Sequence, residues 1–313
     1  MKPSVSVIVP TFNRAHLVVR ALNSIASQTE PPERLIVVDN NSTDFTLETV
    51  ERWMKLYSGP IQITLLREGK PGAAAARDRG LAAADTEIVC FFDSDDEMRT
   101  SLIETVKREF DADPSLELLY WPVTFHPLSG APRQLKFNPD AGIPFQIFHS
   151  FLGTQRFAAT RELIIKAGGW DQDLPIWNDW ELGIRLLLLE PVIKGYARAL
   201  ADIHAQKHSI TGMSFHSRAE NLELAIRHAE SAVKRSRHPQ KDRFLRLLNL
   251  RRAVLAGLYI RERHHHAGRR LLAEATEVSL SLTRPRRTAM LCRAAALHTA
   301  ILRHGSSEWS RLI

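Results

Sequence analysis

The chain of 313 residues is 44% hydrophobic and 25% charged, the balance of an ordinary soluble protein, which excludes a disordered chain, a collagen-like repeat and a disulfide scaffold. At about 100–200 residues per domain, that length accommodates two domains, or one domain with an appendage. The net charge of +7 is unevenly divided: residues 1–213 sum to −5 and residues 214–313 to +12, so a boundary after Met213 separates an acidic part from a basic one.

Cys90 and Cys292 stand far apart within apolar runs and read as buried thiols of a reducing compartment. No apolar run approaches the ~20 residues needed to cross a bilayer. Met1-Lys2-Pro3 leads into a strand-like run without a signal-peptide core, so a cytoplasmic location is expected.

The run Val5-Ser6-Val7-Ile8-Val9-Pro10 is β-branched and predicts a strand ending at Pro10. Leu17, Val18, Ala21, Leu22 and Ile25 recur at helical spacing and predict a helix over 15–27. A strand over 34–38 follows, then the turn Asn40-Asn41-Ser42-Thr43-Asp44 and a helix to residue 57. Next come a strand over 61–66, the loop Gly69-Lys70-Pro71-Gly72, a helix over 73–83 and a strand over 87–92. Apolar strands alternating with helices predict an α/β fold with a mostly parallel sheet covered on both faces, whose strand carboxyl ends form the ligand crevice. Beyond it the spacing predicts a helix over 99–112, a strand over 116–121 and a helix over 182–189. The Pro- and Gly-punctuated stretch 126–144 reads as a long functional loop. From Ser217 onward the chain reads as helices, with one apolar stripe at Leu222, Ala225, Ile226, Ala229 and Val233 and further ones through Phe244, Leu247, Leu248, Leu255 and Leu258.

Polar residues collect at three successive strand ends: Thr11 and Asn13, Asp39 and Asn41, then Asp93, Asp95 and Asp96. Each alone is explained by a cap or a turn, but the recurrence points to a ligand. Asp93-Ser94-Asp95-Asp96 leaves a buried strand with carboxylates at i and i+2, hard oxygen donors that suit Mg²⁺ or Mn²⁺ beside water and a diphosphate. A calcium loop of EF-hand type is excluded, because Met98 occupies the position that requires glycine.

Five blocks then fall in the order and spacing of a known family. They are Val5 through Arg14, Ile36 through Asp44, Gly72 through Leu81, Phe91 through Asp96, and Gly168-Gly169-Trp170-Asp171 continuing through Asn178-Asp179-Trp180-Glu181-Leu182. Together, over residues 4–212, they resemble the family 2 glycosyltransferases, which implies a GT-A fold, Rossmann-like, and transfer of a sugar from a nucleoside-diphosphate donor, UDP-sugar favoured, to an acceptor hydroxyl. By that resemblance Pro10, Thr11, Phe12, Arg14, Asp39 and Asn41 would line the nucleoside pocket. Lys70, Arg77, Asp93 and Ser94 would complete the nucleotide site, and Asp93 and Asp95 would hold the metal. Asp179 would be the catalytic base of an inverting displacement, and Trp177, Trp180 and Glu181 would meet the acceptor, a sugar or a lipid-linked sugar of polysaccharide or glycoconjugate assembly. The chain departs from the family pattern with Asp78 in place of Asn, Asn178 in place of Glu, and Gln206 where a His is common. His208, one of two histidines flanking Gln206, is read as a metal or diphosphate contact.

The basic residues 214–313 read either as a solvated helical face or as a surface for anionic lipid, with peripheral attachment at the inner face of the membrane. No nucleic-acid partner is expected, since interleaved aromatics and binding motifs are missing. His264-His265-His266 diverge on a helix and read as surface residues. The alternative to an enzyme is a catalytically inactive nucleotide-sugar-binding interaction protein. A dinucleotide-dependent dehydrogenase is excluded because no G-x-G-x-x-G turn follows the first strand.

Overall fold

A computed structural model of the protein describes residues 2–206 and 215–301. The α/β part runs β1 (Val5–Thr11), α1 (Val18–Ala26), β2 (Arg34–Asp39), α2 (Thr46–Leu56), β3 (Gln62–Arg67), α3 (Ala73–Ala83), β4 (Ile88–Phe91), β5 (Glu97–Met98) and α4 (Leu102–Ala112). It continues with β6 (Leu118–Tyr120), β7 (Val123–His126), β8 (Arg133–Gln134), α5 (Ile143–His149), β9 (Phe157–Thr160), α6 (Arg161–Lys166), α7 (Asn178–Leu188), β10 (Ile193–Gly195) and β11 (Ala201–His204). Four helices follow: α8 (Phe215–Arg235), α9 (Lys241–Arg261), α10 (His265–Leu280) and α11 (Pro285–Ile301).

Seven strands form one sheet in the order β10-β6-β9-β4-β1-β2-β3. The pairs among β4, β1, β2 and β3 are parallel, as is β10 with β6, whereas β9 runs antiparallel to both of its neighbours. Strand alternation sorts the apolar residues onto two faces. Val7, Leu35, Val37, Ile88, Cys90 and Phe92 join Leu22, Val50 and Ile103 in one core, and Ile8, Ile36, Val38, Val89 and Phe91 join Leu81, Ile147 and Trp170 in the other. The helix α3 crosses β1 closely at Gly80, where an added Cβ would lie 2.4 Å from Ile8 Cγ2, so a larger residue has to displace Ile8 or the helix.

The mostly parallel sheet agrees with the apolar runs, and three local expectations are corrected. Strand β1 continues past Pro10 to Thr11, which pairs with Asp39. The helix expected over 99–112 begins at Leu102, because Glu97–Met98 is drawn into a second sheet of order β5-β11-β7-β8. That same sheet takes Arg133–Gln134 out of the stretch read as a loop.

The second core runs on from the sheet through Trp180, Leu182 and Ile184 of α7 into Leu222, Ile226, Val233, Phe244, Leu248, Leu255 and Leu271 of the C-terminal helices. Two of the arginines read as surface charge are therefore interior. Arg252 is buried and pairs with Glu230 at 2.5 Å and Glu274 at 3.2 Å, while Arg251 is buried against the faces of Trp177 and Trp180. Both cysteines are free and buried.

Candidate active site

The loops after β1 and β2 are stitched together by short polar side chains. Asn13 adopts φ +51°, a left-handed conformation that asparagine tolerates, and its Oδ1 accepts from the Thr43 N–H at 2.8 Å. Its own N–H donates to Ser42 Oγ at 3.0 Å. This leaves Phe12, 52% exposed, standing at the strand end, while Pro10 and Thr11 are enclosed in β1. Asp39 closes β2 with one carboxylate oxygen accepting from the Ser42 N–H at 3.2 Å. Its other oxygen, and the hydroxyl of its register partner Thr11, are buried without a hydrogen-bond partner. Unpaired buried acceptors are rare, so these two atoms are the strongest sign that a ligand donor completes the pocket. Asn41, at φ +64°, donates to Gly69 O, and Asn40 holds the same loop through Glu68 O, Lys70 O and the Gly72 N–H. Lys70 itself is exposed on that loop.

Arg77 is the hub between these loops and α7. Carried inward by α3 and only 5% exposed, it lies 4.3 Å over the Trp170 ring. It donates to Asp93 Oδ1 at 2.7 Å and to Asn178 Oδ1 at 3.2 Å. The second oxygen of Asp93 accepts from Gln155 Nε2 at 2.6 Å, and Gln155 also donates to Asp96. Asp95 lies 3.4 Å from Arg14 Nε, and burial, then the Asp93 charge, push its pKa up. Asp96 is raised further by the same causes, and it accepts from the backbone N–H of His204 at 2.8 Å rather than from a helix start. Ser94 is enclosed between these carboxylates.

Burial and the neighbouring carboxylate charges disfavour ionisation of Asp95 and Asp96 and leave a place for positive charge. Asp95 is the donor with capacity to spare, since both oxygens of Asp93 are committed to Arg77 and Gln155. Hard oxygen at this place suits Mg²⁺ or Mn²⁺. Among the described residues no group of three or more His, Cys, Asp or Glu converges on one cation position, and His208 lies outside the described residues.

Asp179 sits in the first turn of α7. The chain enters that helix through Trp177 at φ +57°, an outlier for so bulky a residue. Asp179 is not the helix cap; its Oδ1 turns back to its neighbour's N–H, on Trp180, at 2.7 Å. Burial raises its pKa, opposed by Arg77, so its carboxylate is more basic than a solvated one. Beside it lies the buried Arg156, bound to Ser150 O and Lys136 O, whose pKa burial lowers to about 10.

Two of the residues expected to meet an acceptor face elsewhere. Trp180 is fully buried with its indole N–H on Ile147 O, and Glu181, on the opposite side of α7 from Asp179, is locked to Arg185 at 2.7 Å. Trp177 alone of the three remains partly exposed.

Residues 6–160 match the model of "Glycosyl transferase family 2". The chain belongs to glycosyltransferase family 2. Among curated relatives in this family, the putative teichuronic acid biosynthesis glycosyltransferase TuaG of Bacillus subtilis is 35% identical over 103 residues, 33% of this chain and 40% of that one. A GalNAc(5)-diNAcBac-PP-undecaprenol β-1,3-glucosyltransferase of Campylobacter jejuni is 36% identical over 107 residues, 34% of each chain. The matches thus span between about a third and two-fifths of these relatives. Among solved structures, S. aureus TarS 1–349 in complex with UDP-GlcNAc superposes with a TM-score of 0.74 at 19% identity, covering 95% of this chain and 89% of that one. The mannosyltransferase PcManGT from Pyrobaculum calidifontis, in complex with GDP-Man and Mn²⁺, gives 0.61 at 20% identity, covering 96% and 87%. At those identities the likeness establishes the shared GT-A fold.

Three residues of this family 2 site were not foreseen from the sequence. Gln155 and Arg156 form a polar pair inside the apolar run from Phe151 to Ala159, and that interruption is the signal that marks them. Asn178 was noted only as a departure from the family pattern. Here it links Arg77 to α7 and donates to Leu174 O at 3.1 Å. A second departure, Asp78, accepts from the Trp170 N–H and from Gln172, and Gly169 at φ +68° passes so close that a Cβ would lie 2.7 Å from its carboxylate.

Proposed function

We propose that the chain is an inverting, metal-dependent glycosyltransferase that moves a sugar from a nucleoside-diphosphate sugar, with UDP-sugars favoured, to an acceptor hydroxyl. The observation that carries this reading is the convergence of Asp179, through Asn178 and Arg77, on the Asp93 carboxylate at the carboxyl end of β4. The unpaired oxygens of Asp39 and Thr11 accept from a base N–H and a ribose hydroxyl, and Phe12 offers a face to the ring. Arg77 and Arg14 set positive charge beside the carboxylates where a diphosphate would lie.

The Asp179 carboxylate takes the proton of the acceptor hydroxyl as that oxygen bonds to the anomeric carbon. The bond from that carbon to the diphosphate oxygen breaks, the electron pair leaves with the diphosphate, and the configuration inverts. Asp95 would hold a divalent cation, which would neutralise charge on the departing diphosphate. The acceptor reaches Asp179 past residues 126–144 and Trp177. The relatives named for teichuronic acid biosynthesis and for an undecaprenol-linked substrate favour an acceptor of polysaccharide or glycoconjugate assembly, on a lipid carrier or free.

The test is a panel of sugar nucleotides with Mg²⁺ and Mn²⁺, read as acceptor-dependent release of nucleoside diphosphate. Asp179→Asn is expected to lower turnover by at least about a thousandfold while the dissociation constant for the nucleotide stays within about twofold. Unchanged turnover in that variant would assign the base to another residue. Asp95→Asn is expected to weaken donor binding only when metal is present.

A further inference from the structure

We propose that the outward face of α11 docks the protein onto an anionic lipid surface. The helix is apolar on the wrong side for a water-facing one. It packs on α9 through small residues, with Thr288, Cys292, Ala296 and Thr299 buried, and the approach is close: a Cβ on Gly257 of α9 would lie 2.4 Å from Ala296 O. The large side chains point outward instead, with Met290 65%, Leu297 62% and Ile301 70% exposed.

At about 100° per residue, Met290, Leu297 and Ile301 form one stripe along the helix, with Arg286 and Arg293 along one side and Arg287 along the other. No Asp or Glu occurs from Val278 to Ile301. At the turn before α11, Leu280 and Arg284 are exposed as well. An apolar stripe between rows of guanidinium groups is the pattern of a helix lying in a membrane interface, its apolar residues among the acyl chains and its cations at the headgroup phosphates.

Charge complementarity separates this occupant from the others. A second copy of the same face, meeting it about a two-fold axis, would bring arginines together with no carboxylate between them. Nucleic acid would satisfy the arginines and leave the stripe of Met290, Leu297 and Ile301 without a partner. Among the described residues no helix is long and apolar enough to cross a membrane, so attachment through α11 would lie in the interface plane. The inference is independent of the donor and of Asp179.

The test uses the full chain with vesicles of phosphatidylcholine alone and of phosphatidylcholine mixed with phosphatidylglycerol, read by co-sedimentation. Wild type is expected to sediment with the anionic vesicles only, and to be released as salt is raised. Met290→Glu with Leu297→Glu, and separately Arg286→Gln with Arg287→Gln and Arg293→Gln, are each expected to weaken binding by about tenfold or more. Met290→Ser with Leu297→Ser repeats the first test without new charge. All these side chains are exposed, so the melting temperature and nucleotide affinity are expected to hold, which certifies the fold of each variant. Wild type remaining in the supernatant with anionic vesicles overturns the proposal, as do variants that bind like wild type. A concentration-dependent dimer that Met290→Glu with Leu297→Glu dissociates, without vesicle binding by wild type, would assign the face to a second copy.

Discussion

Asp179 owes its raised pKa to burial, and Arg77 is the charge that restrains the rise. A base acts when ionised, so kcat/KM is expected to rise with pH, about tenfold per unit, until it levels above a pKa higher than that of an ordinary aspartate. Arg77→Met removes the restraining cation, and the acidic limb of the pH–rate profile should then move to higher pH. A limb that stays in place would separate the titrating group from Asp179. Loss of Arg77 also strips Asp93 of its ion pair and Trp170 of its stacked cation. A fall in stability of about 3 kcal/mol is expected, read from urea denaturation. At this scale the sequence was most legible where a residue type leaves few options. Carboxylates after an apolar strand end, as at Asp39 and Asp93, have to meet solvent, a ligand or a fixed polar partner such as Arg77. It was least legible for neighbouring residues of one type, as for Trp177 and Trp180, three apart in sequence, of which only the first keeps any exposure.

Between elements, α9 braces the entrance to α7. Holding Trp177 in the left-handed region costs about 1–3 kcal/mol. The planar guanidinium of Arg251 covers its ring at 4.3 Å, and Trp180 packs from the side at 5.0 Å. Burial lowers the Arg251 pKa to about 9, which still leaves it a cation at neutral pH. Arg251→Met should therefore lower turnover, with nucleotide affinity retained, and cost about 1–2 kcal/mol of stability. Arg251→Lys should fall between, keeping the charge without the flat face. Equal kinetics in Arg251→Met and wild type would show that Trp177 holds its own conformation. The parallel strands β1, β2 and β4 were plain in the sequence because burial on both faces demands unbroken apolar runs. Strands β5 and β8, of two residues each, leave no periodicity to read, and an arginine such as Arg251 reads as solvent-facing until a partner helix covers it.

For the whole molecule, the boundary read after Met213 separates two charge compositions but crosses one apolar core. Leu222, Ile226 and Leu255 belong to the same cluster as Trp180 and Ile184. Residues 1–213 expressed alone are expected to aggregate or to melt well below the full chain, because their half of that cluster would face water. A cooperative melt of the fragment at the full-length temperature would show the opposite. The antiparallel strand β9 carries a consequence for how the protein is made. Its residues pair Ile88 with Thr160 on one side and Leu118 with Ala159 on the other, so the middle of the sheet closes only after residue 160 has left the ribosome. Gln155, which ties Asp93 to Asp96, arrives on the same segment. A nascent chain that ends before residue 160 therefore lacks both the strand that joins β4 to β6 and the glutamine that ties Asp93 to Asp96.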